Sequence, residues 1–173
     1  LSAGFEIFGG VELDPIAARS HATNFHRENS DDSFECHATG RDITIVEPET
    51  LLQDLGAKQP KDAIDVIVGG PPCQGFSGIG HRRSFSVEKE DIPTNHLFEE
   101  MIRVIVGIQP KVFLFENVQG LLSSKWNSSG TKGEIFRDVW KAFDSIEGYT
   151  SQPTLLHAYG FGVPQNRPRV MIL

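Results

Sequence analysis

The alternation of strand-like and helix-like segments in this chain predicts an α/β protein built on a doubly wound sheet. Three observations carry that expectation. Residues 64–68, Ile64-Asp65-Val66-Ile67-Val68, are short, β-branched and almost uninterrupted, as an inner strand of a parallel sheet is. Residues 111–115 form a second apolar strand. Between the two, residues 96–107 place Leu97, Met101, Val104 and Ile105 at helical spacing.

The remaining elements follow in order. Residues 1–6 read as the tail of a helix, 11–13 as a strand and 15–25 as a helix, with Pro15 suited to its first turn. A polar loop through Ser30-Asp31-Asp32-Ser33 leads to a short strand at 36–38, and 47–55 is helical. After the strand at 64–68, residues 77–94 form a long mobile loop ahead of the helix at 96–107. A polar loop at 123–133 precedes a helix over 134–146, and strands at 150–157 and 169–173 end the chain. No repeat, linker or low-complexity tract interrupts the pattern.

Composition sets the outer bounds. The chain has 173 residues, enough for one domain with a sizeable core, and its 39% hydrophobic and 23% charged residues are ordinary for a globular protein. No apolar run approaches the ~18 residues of a membrane span, and no signal peptide is visible. Two cysteines make no disulfide framework, which suits a reducing compartment. They also lack the CxxC or HExxH spacing of a zinc site, so no metal is expected even with His37 beside Cys36.

The chemistry concentrates after the strand at 64–68, in Gly69-Gly70-Pro71-Pro72-Cys73-Gln74-Gly75-Phe76-Ser77. Gly69 and Gly70 carry no Cβ, so the chain can turn sharply there and another molecule can approach closely. Pro72 fixes its own φ and keeps Pro71 out of the helical region, which holds the segment before Cys73 extended and stiff. In an open α/β sheet, ligands bind outside the carboxyl ends of the strands, where this loop lies. A cysteine there is either a small buried hydrophobe in a tight turn or a nucleophile. The polar, glycine-rich surroundings favour the nucleophile. Cys36, in Phe34-Glu35-Cys36-His37-Ala38, lacks that setting and reads as structural.

The loop at 69–77, continuing to Gly78 and Gly80, resembles the Pro-Cys-Gln catalytic loop of the cytosine-C5 methyltransferases that act on DNA. Three further matches follow in that family's order. Phe115-Glu116-Asn117-Val118 ends the second apolar strand. Gly162-Val163-Pro164-Gln165-Asn166-Arg167-Pro168-Arg169 carries the Gln-x-Arg-x-Arg pattern, and Val11-Glu12-Leu13-Asp14 resembles the acidic cofactor strand. The resemblance covers the whole chain. It implies a Rossmann-like doubly wound sheet of the S-adenosylmethionine-dependent methyltransferase type, incomplete at both ends. The glycine-rich cofactor loop would lie upstream, and the target-recognition region and last cofactor segment downstream. On that reading residues 1–173 are a partial catalytic domain, inactive by themselves.

The resemblance also implies roles, each with a chemical reason. Carbon 5 of cytosine is a poor nucleophile, and adding the Cys73 thiolate at carbon 6 turns the ring into an enamine. Glu116 matches the acid that assists at ring nitrogen 3. Arg167 and Arg169 match the arginines that bind the base and hold the glutamate. If residues 165–169 are extended, Gln165, Arg167 and Arg169 project to one side, because strand side chains alternate. The target base must leave the stack to be reached. Gln74 and Ser77 match residues that hold its sugar-phosphate, Gln165 is grouped with them as a DNA contact, and His81-Arg82-Arg83 offers Arg82 and Arg83 to phosphate.

The implied methyl donor is S-adenosylmethionine. Glu12 fits the acidic residue that binds ribose hydroxyls. By resemblance Leu13 flanks the adenine, Asp42 and Ile43 reach its edge, and Pro72 and Leu97 line the pocket. Two positions depart from the family's pattern: Thr94 stands where an arginine is usual, and His157 where an asparagine is frequent. The implied partner is duplex DNA, with a monomer, a cognate restriction endonuclease as genetic partner, and a bacterial cytoplasmic (or eukaryotic nuclear) setting. The net charge of −7 suits a polyanion poorly, so the positive charge is either strictly local or lies in a portion outside these residues.

Other functions leave more unexplained. The tRNA-directed branch of the family usually departs from Gly75-Phe76-Ser77-Gly78. A binding module that had lost catalysis would not need Cys73, Glu116 and Arg167 together. A thiol hydrolase pairing Cys73 with a histidine leaves Glu116 and Gln165 to Arg169 without a purpose.

Overall fold

The computed structural model describes residues 4–57, 64–72 and 91–173. The chain divides into two compact units, Leu1–Asp65 with Gly107–Gln109, and Val66–Val106 with Pro110–Leu173.

The first unit holds α1 (Pro15–Phe25), α2 (Asp31–Ala38) and α3 (Pro48–Asp54). Asp14 starts α1: its carboxylate accepts the N–H groups of Ile16 at 2.8 Å and Ala17 at 3.0 Å, and Pro15 fills a first-turn position that needs no N–H. The buried residues of α1 are Ala18 and Ala22, one turn apart, so a stripe without bulky side chains packs on α2. The expected loop and strand over 30–38 are instead α2. Asp31 and Asp32 in its first turn complement the positive end of the helix dipole, while His37 and Ala38 are buried. Arg19 and Glu35 join α1 to α2 through two bonds of 3.1 Å, but both are exposed, so the pair contributes at most ~1 kcal/mol. The Cys36 thiol donates to the Asp54 carbonyl at 2.6 Å, and Arg41 reaches the Cys36 carbonyl at 2.9 Å. Cys36 therefore joins α2 to the end of α3, the structural role its sequence setting indicated. Residues 4–6 are not helical and 11–13 form no strand, contrary to expectation.

The second unit is built on β1 (Val66–Gly69), β2 (Val112–Val118), β3 (Pro153–His157) and β4 (Pro168–Ile172), with α4 (Leu97–Ile108) between β1 and β2 and α5 (Glu134–Asp144) before β3. The sheet order is β1-β2-β4-β3, with β1 parallel to β2 and β4 antiparallel to both neighbours. Connection length decides this. The β1-to-β2 crossover contains a helix, as parallel pairing requires, whereas only residues 158–167 separate β3 from β4. The architecture is α/β as expected, a fragment of a Rossmann-like fold, with a mixed sheet.

Phe113 and Phe115 of β2 lie in one core with Phe98, Met101 and Ile105 of α4 and Ile135, Val139 and Phe143 of α5. The α5 residues recur every four positions and form a single stripe. Phe143 meets both strand phenylalanines, with ring centroids at 5.4 and 5.0 Å. Since strand side chains alternate, Phe113, Phe115 and Asn117 face this core and Glu116 faces the other way. No helix among the described residues is long and apolar enough to cross a membrane.

Candidate active site

In the sheet unit, the carboxyl end of β1, the end of β2 and the start of β4 meet. Parallel pairing sets Gly69 beside Phe115, so the residues after β1 pass close to Glu116. A Cβ on Gly70 would lie 3.0 Å from Glu116 Oε2, a contact that only glycine avoids without moving the carboxylate. The group that Gly70 passes is the candidate acid.

Arg169 completes the pair. The antiparallel register sets Val118 opposite Arg169 and Glu116 opposite Met171, so Glu116 and Arg169 share one face two positions apart. Arg169 Nε lies 2.5 Å from Glu116 Oε1, and its Nη1 donates to the Pro168 carbonyl at 2.8 Å. The side chains are only 33% (Glu116) and 19% (Arg169) exposed, so the interaction is less screened than a surface ion pair. This joins the expected acid to one of the two expected arginines.

Gln165 and Arg167 do not share Arg169's row. β4 begins only at Pro168, and the residues before it bend: Gln165 N–H donates to the Val163 carbonyl at 2.7 Å and Arg167 N–H to the Gln165 carbonyl at 3.1 Å. Hydrogen bonds across two residues curl the backbone, so the period-two projection fails there. Gln165 and Arg167 are exposed at this bend.

Asn117, given no role by the sequence, is buried beneath the same corner. Its Nδ2 donates to the Pro71 carbonyl at 3.2 Å and its Oδ1 accepts the Val118 N–H at 2.9 Å. The signal was available: a polar residue occupies the third inward position after Phe113 and Phe115. Cys73, Gln74, Ser77, Arg82 and Arg83 lie outside the described residues, as does most of the expected loop over 77–94. Pro72 is exposed at the end of the described loop segment, and Leu97 is half-buried at the first turn of α4. The two departures from the family's pattern share a property. Thr94 Oγ1 and His157 Nδ1 are buried without a hydrogen-bond partner among the described residues.

The other four candidate cofactor residues are brought together within the first unit. The Arg41 N–H donates to the Glu12 carbonyl at 2.7 Å, which lays residues 40–43 beside 12–13. Gly40 makes this possible, because a Cβ there would lie 2.9 Å from the Leu13 carbonyl oxygen. Glu12 is exposed, its Oε1 accepting the Asp14 N–H at 3.0 Å, and Leu13 is 68% exposed. The Thr44 backbone N–H, at 2.9 Å, and then its hydroxyl, at 2.8 Å, hold the Asp42 carboxyl below its ordinary pKa. Two carboxylates and an exposed leucine thus gather on adjacent backbone segments. No group of three or more potential metal-ligating side chains occurs among the described residues.

Comparison with known proteins gives a consistent picture. Residues 1–173 match the C-5 cytosine-specific DNA methylase family. The chain is 36% identical to the Type II methyltransferase M1.HphI of Haemophilus parahaemolyticus, over 99% of this chain and 42% of that protein. It is 40% identical to the Type II methyltransferase M.FnuDI of Fusobacterium nucleatum, over 97% of this chain and 40% of that one. A crystal structure of a prophage-encoded putative DNA modification methyltransferase from E. coli superposes with a TM-score of 0.67 at 28% identity, covering 98% of this chain and 40% of its own. The S. pombe Dnmt2 methyltransferase shares the fold, with a TM-score of 0.58 at 21% identity. The chain therefore spans about 40% of the length of these relatives.

Proposed function

Because the chain belongs to the C-5 cytosine-specific DNA methylase family, we propose that the protein carrying it transfers a methyl group from S-adenosylmethionine to carbon 5 of a cytosine flipped out of duplex DNA. The observation that carries the reading is the Glu116–Arg169 pair, set against the glycines that lead into Cys73. A carboxyl held by a guanidinium at the carboxyl ends of two parallel strands is suited to a hydrogen bond with a ring nitrogen of a base, the role its counterpart has in the family.

The chemistry follows from these side chains. The Cys73 thiolate adds to carbon 6 while Glu116 provides a proton at nitrogen 3, so the charge pushed into the ring is neutralised as it develops. The ring then carries an enamine whose carbon 5 accepts the methyl group. Loss of the carbon 5 proton and expulsion of the thiolate restore the aromatic ring and free the enzyme. Arg169 keeps Glu116 in place; Arg167 and Gln165, both exposed, serve the base and its backbone together with Gln74, Ser77, Arg82 and Arg83.

The first unit suits the methyl donor. The exposed Glu12 carboxylate can accept the hydroxyls of a ribose, the Asp42 carboxylate and Ile43 suit an adenine edge, and exposed Leu13 offers an apolar face. By resemblance to the family, Pro72 and Leu97 are the remaining residues assigned to the methyl donor. When bound, S-adenosylmethionine supplies an electrophilic methyl group. The Type II names of the relatives support a place beside a cognate restriction endonuclease in a bacterial cytoplasm.

The experiment is covalent trapping. With duplex DNA bearing 5-fluorocytosine at the target, carbon 5 has no proton to lose, so the intact protein is expected to stay attached to DNA in a cofactor-dependent way, and Cys73→Ser is expected not to. Attachment that persists in the serine variant would overturn the assignment. Trapping on tRNA but not on duplex DNA would move the substrate to the other branch of the family.

A further inference from the structure

The polar residue among the inward-facing positions of β2 is Asn117, 4% exposed and in line with Phe113 and Phe115. A buried amide is retained at little cost only when its donor and acceptor are both used. Here both are. Oδ1 takes the Val118 N–H from the same strand, which fixes the amide plane, and Nδ2 then reaches Pro71, 46 residues away in sequence. Pro71 is two residues from Cys73, and Pro72 between them has a fixed φ and no N–H of its own. The Pro71 carbonyl is thus an anchoring point on the chain just before Cys73 in the sequence.

The neighbouring contacts give the anchor its purpose. Gly70 passes over Glu116 Oε2, and Glu116 Oε1 is held by Arg169. Asn117 grips the next residue, Pro71, from the opposite face of the strand that carries Glu116. One strand therefore carries the acid on one side and holds Pro71 on the other. Because Asn117 faces the core, it has no route to the base.

We propose that Asn117 is a positioning residue: its amide ties the Pro71 carbonyl, two residues before Cys73 in the sequence, to the strand that carries Glu116, and attack by the thiol depends on that tie. This rests on Cys73 being the nucleophile. The arrangement acts on thiol attack, not on affinity for either substrate.

The test uses the complete gene product and the substitution Asn117→Asp. Aspartate has the same shape and still accepts the Val118 N–H, but it sets a second oxygen, with no proton to donate, against the Pro71 carbonyl. The rate of covalent trapping on 5-fluorocytosine DNA is read at saturating S-adenosylmethionine and scaled to the folded fraction, itself counted by cofactor binding. The expected result is trapping slowed by about 10- to 100-fold, the effect of misplacing a reacting group by ~1 Å. Dissociation constants for DNA and cofactor should stay within about three-fold, so the loss falls in kcat and not in KM. Asn117→Leu, which removes both polar ends from the core, should slow trapping comparably. An unchanged scaled rate in both variants would overturn the proposal, as would a loss expressed in the two dissociation constants. A wild-type protein that does not trap, or a Cys73→Ser protein that does, would instead remove the nucleophile itself, a separate failure.

Discussion

Lowering the pH should loosen the α1–α2 unit through two histidines, and the size of the effect can be bounded from their geometry. His26 and His37 stack face to face, centroids 3.6 Å apart and planes within 3°, and are only 5% and 8% exposed. His26 Nε2 and His37 Nδ1 are buried with no hydrogen-bond partner among the described residues. A neutral imidazole tolerates this, because one of its nitrogens carries no proton. An imidazolium must donate from both nitrogens and would set its charge beside a second ring. Burial, followed by His21, pushes His26 below its ordinary pKa. For His37 the causes are burial, then His26, Arg41 and His21.

The sign follows from which state binds the proton first. The unfolded chain protonates near the ordinary value of ~6.5, while the folded pair resists until the pH is lower. Stability is therefore complete above ~6.5 and declines as the pH falls below it. Each histidine contributes at most ~1.4 kcal/mol per pH unit in that window, so the pair contributes at most ~3 kcal/mol per unit. The assay is chemical denaturation at pH 7.5, 6.5 and 5.5, above the range in which ordinary carboxylates titrate, for the wild type, His26→Phe and His37→Phe. Phenylalanine keeps a stacked ring but cannot take a proton, so each variant should show roughly half the wild-type slope. Since His37 lies three residues before Gly40, the affinity for S-adenosylmethionine should weaken over the same range. Identical pH slopes in the wild type and both variants would refute the argument.

Three other expectations follow from the site. Glu116→Gln keeps the shape but has no carboxyl proton, so single-turnover methylation should slow by about 10²–10⁴-fold; an unchanged rate at saturating DNA and cofactor would return Glu116 to a purely structural role. Arg169→Lys keeps the charge but not the planar guanidinium that reaches Glu116 Oε1 and the Pro168 carbonyl together, and about 10²-fold should be lost from kcat with little change in KM, measured by steady-state kinetics. Gly40→Ala drives a Cβ against the Leu13 carbonyl oxygen, a backbone atom that cannot yield, so residues 12–13 and 40–43 must part. Calorimetry should then show weakened cofactor binding, while the trapping rate at saturating cofactor is unchanged.

What could be read in the sequence, and what could not, divides along one physical line. Helices α1, α3, α4 and α5 were legible because a helix is declared by near neighbours: a first-turn proline, or apolar residues every three or four positions. Strands β1 and β2 were legible as β-branched or aromatic runs between glycine and turn residues. The segment at 30–38 failed because its polarity suggested a loop, although Ser30 followed by two aspartates is also a helix start. What settles it as a helix is tertiary, the burial of His37 and Ala38 in the unit shared with α1. Residues 11–13 fail for the opposite reason. A strand exists by virtue of a neighbour, and the hydrogen bond found here, from Arg41 to Glu12, joins two segments without building a ladder. The candidate site obeys the same rule. Resemblance to the family's motifs named Glu116 and Arg169, because those motifs are carried in the sequence itself. They could not show that Arg169 takes the glutamate while Arg167 stays exposed, since that depends on β4 starting at Pro168 and not at Gln165. Nor could they show that Asn117, one residue beyond the acid, spends its amide on Pro71. A motif names the groups that react; the register between distant strands decides which of their neighbours hold them still.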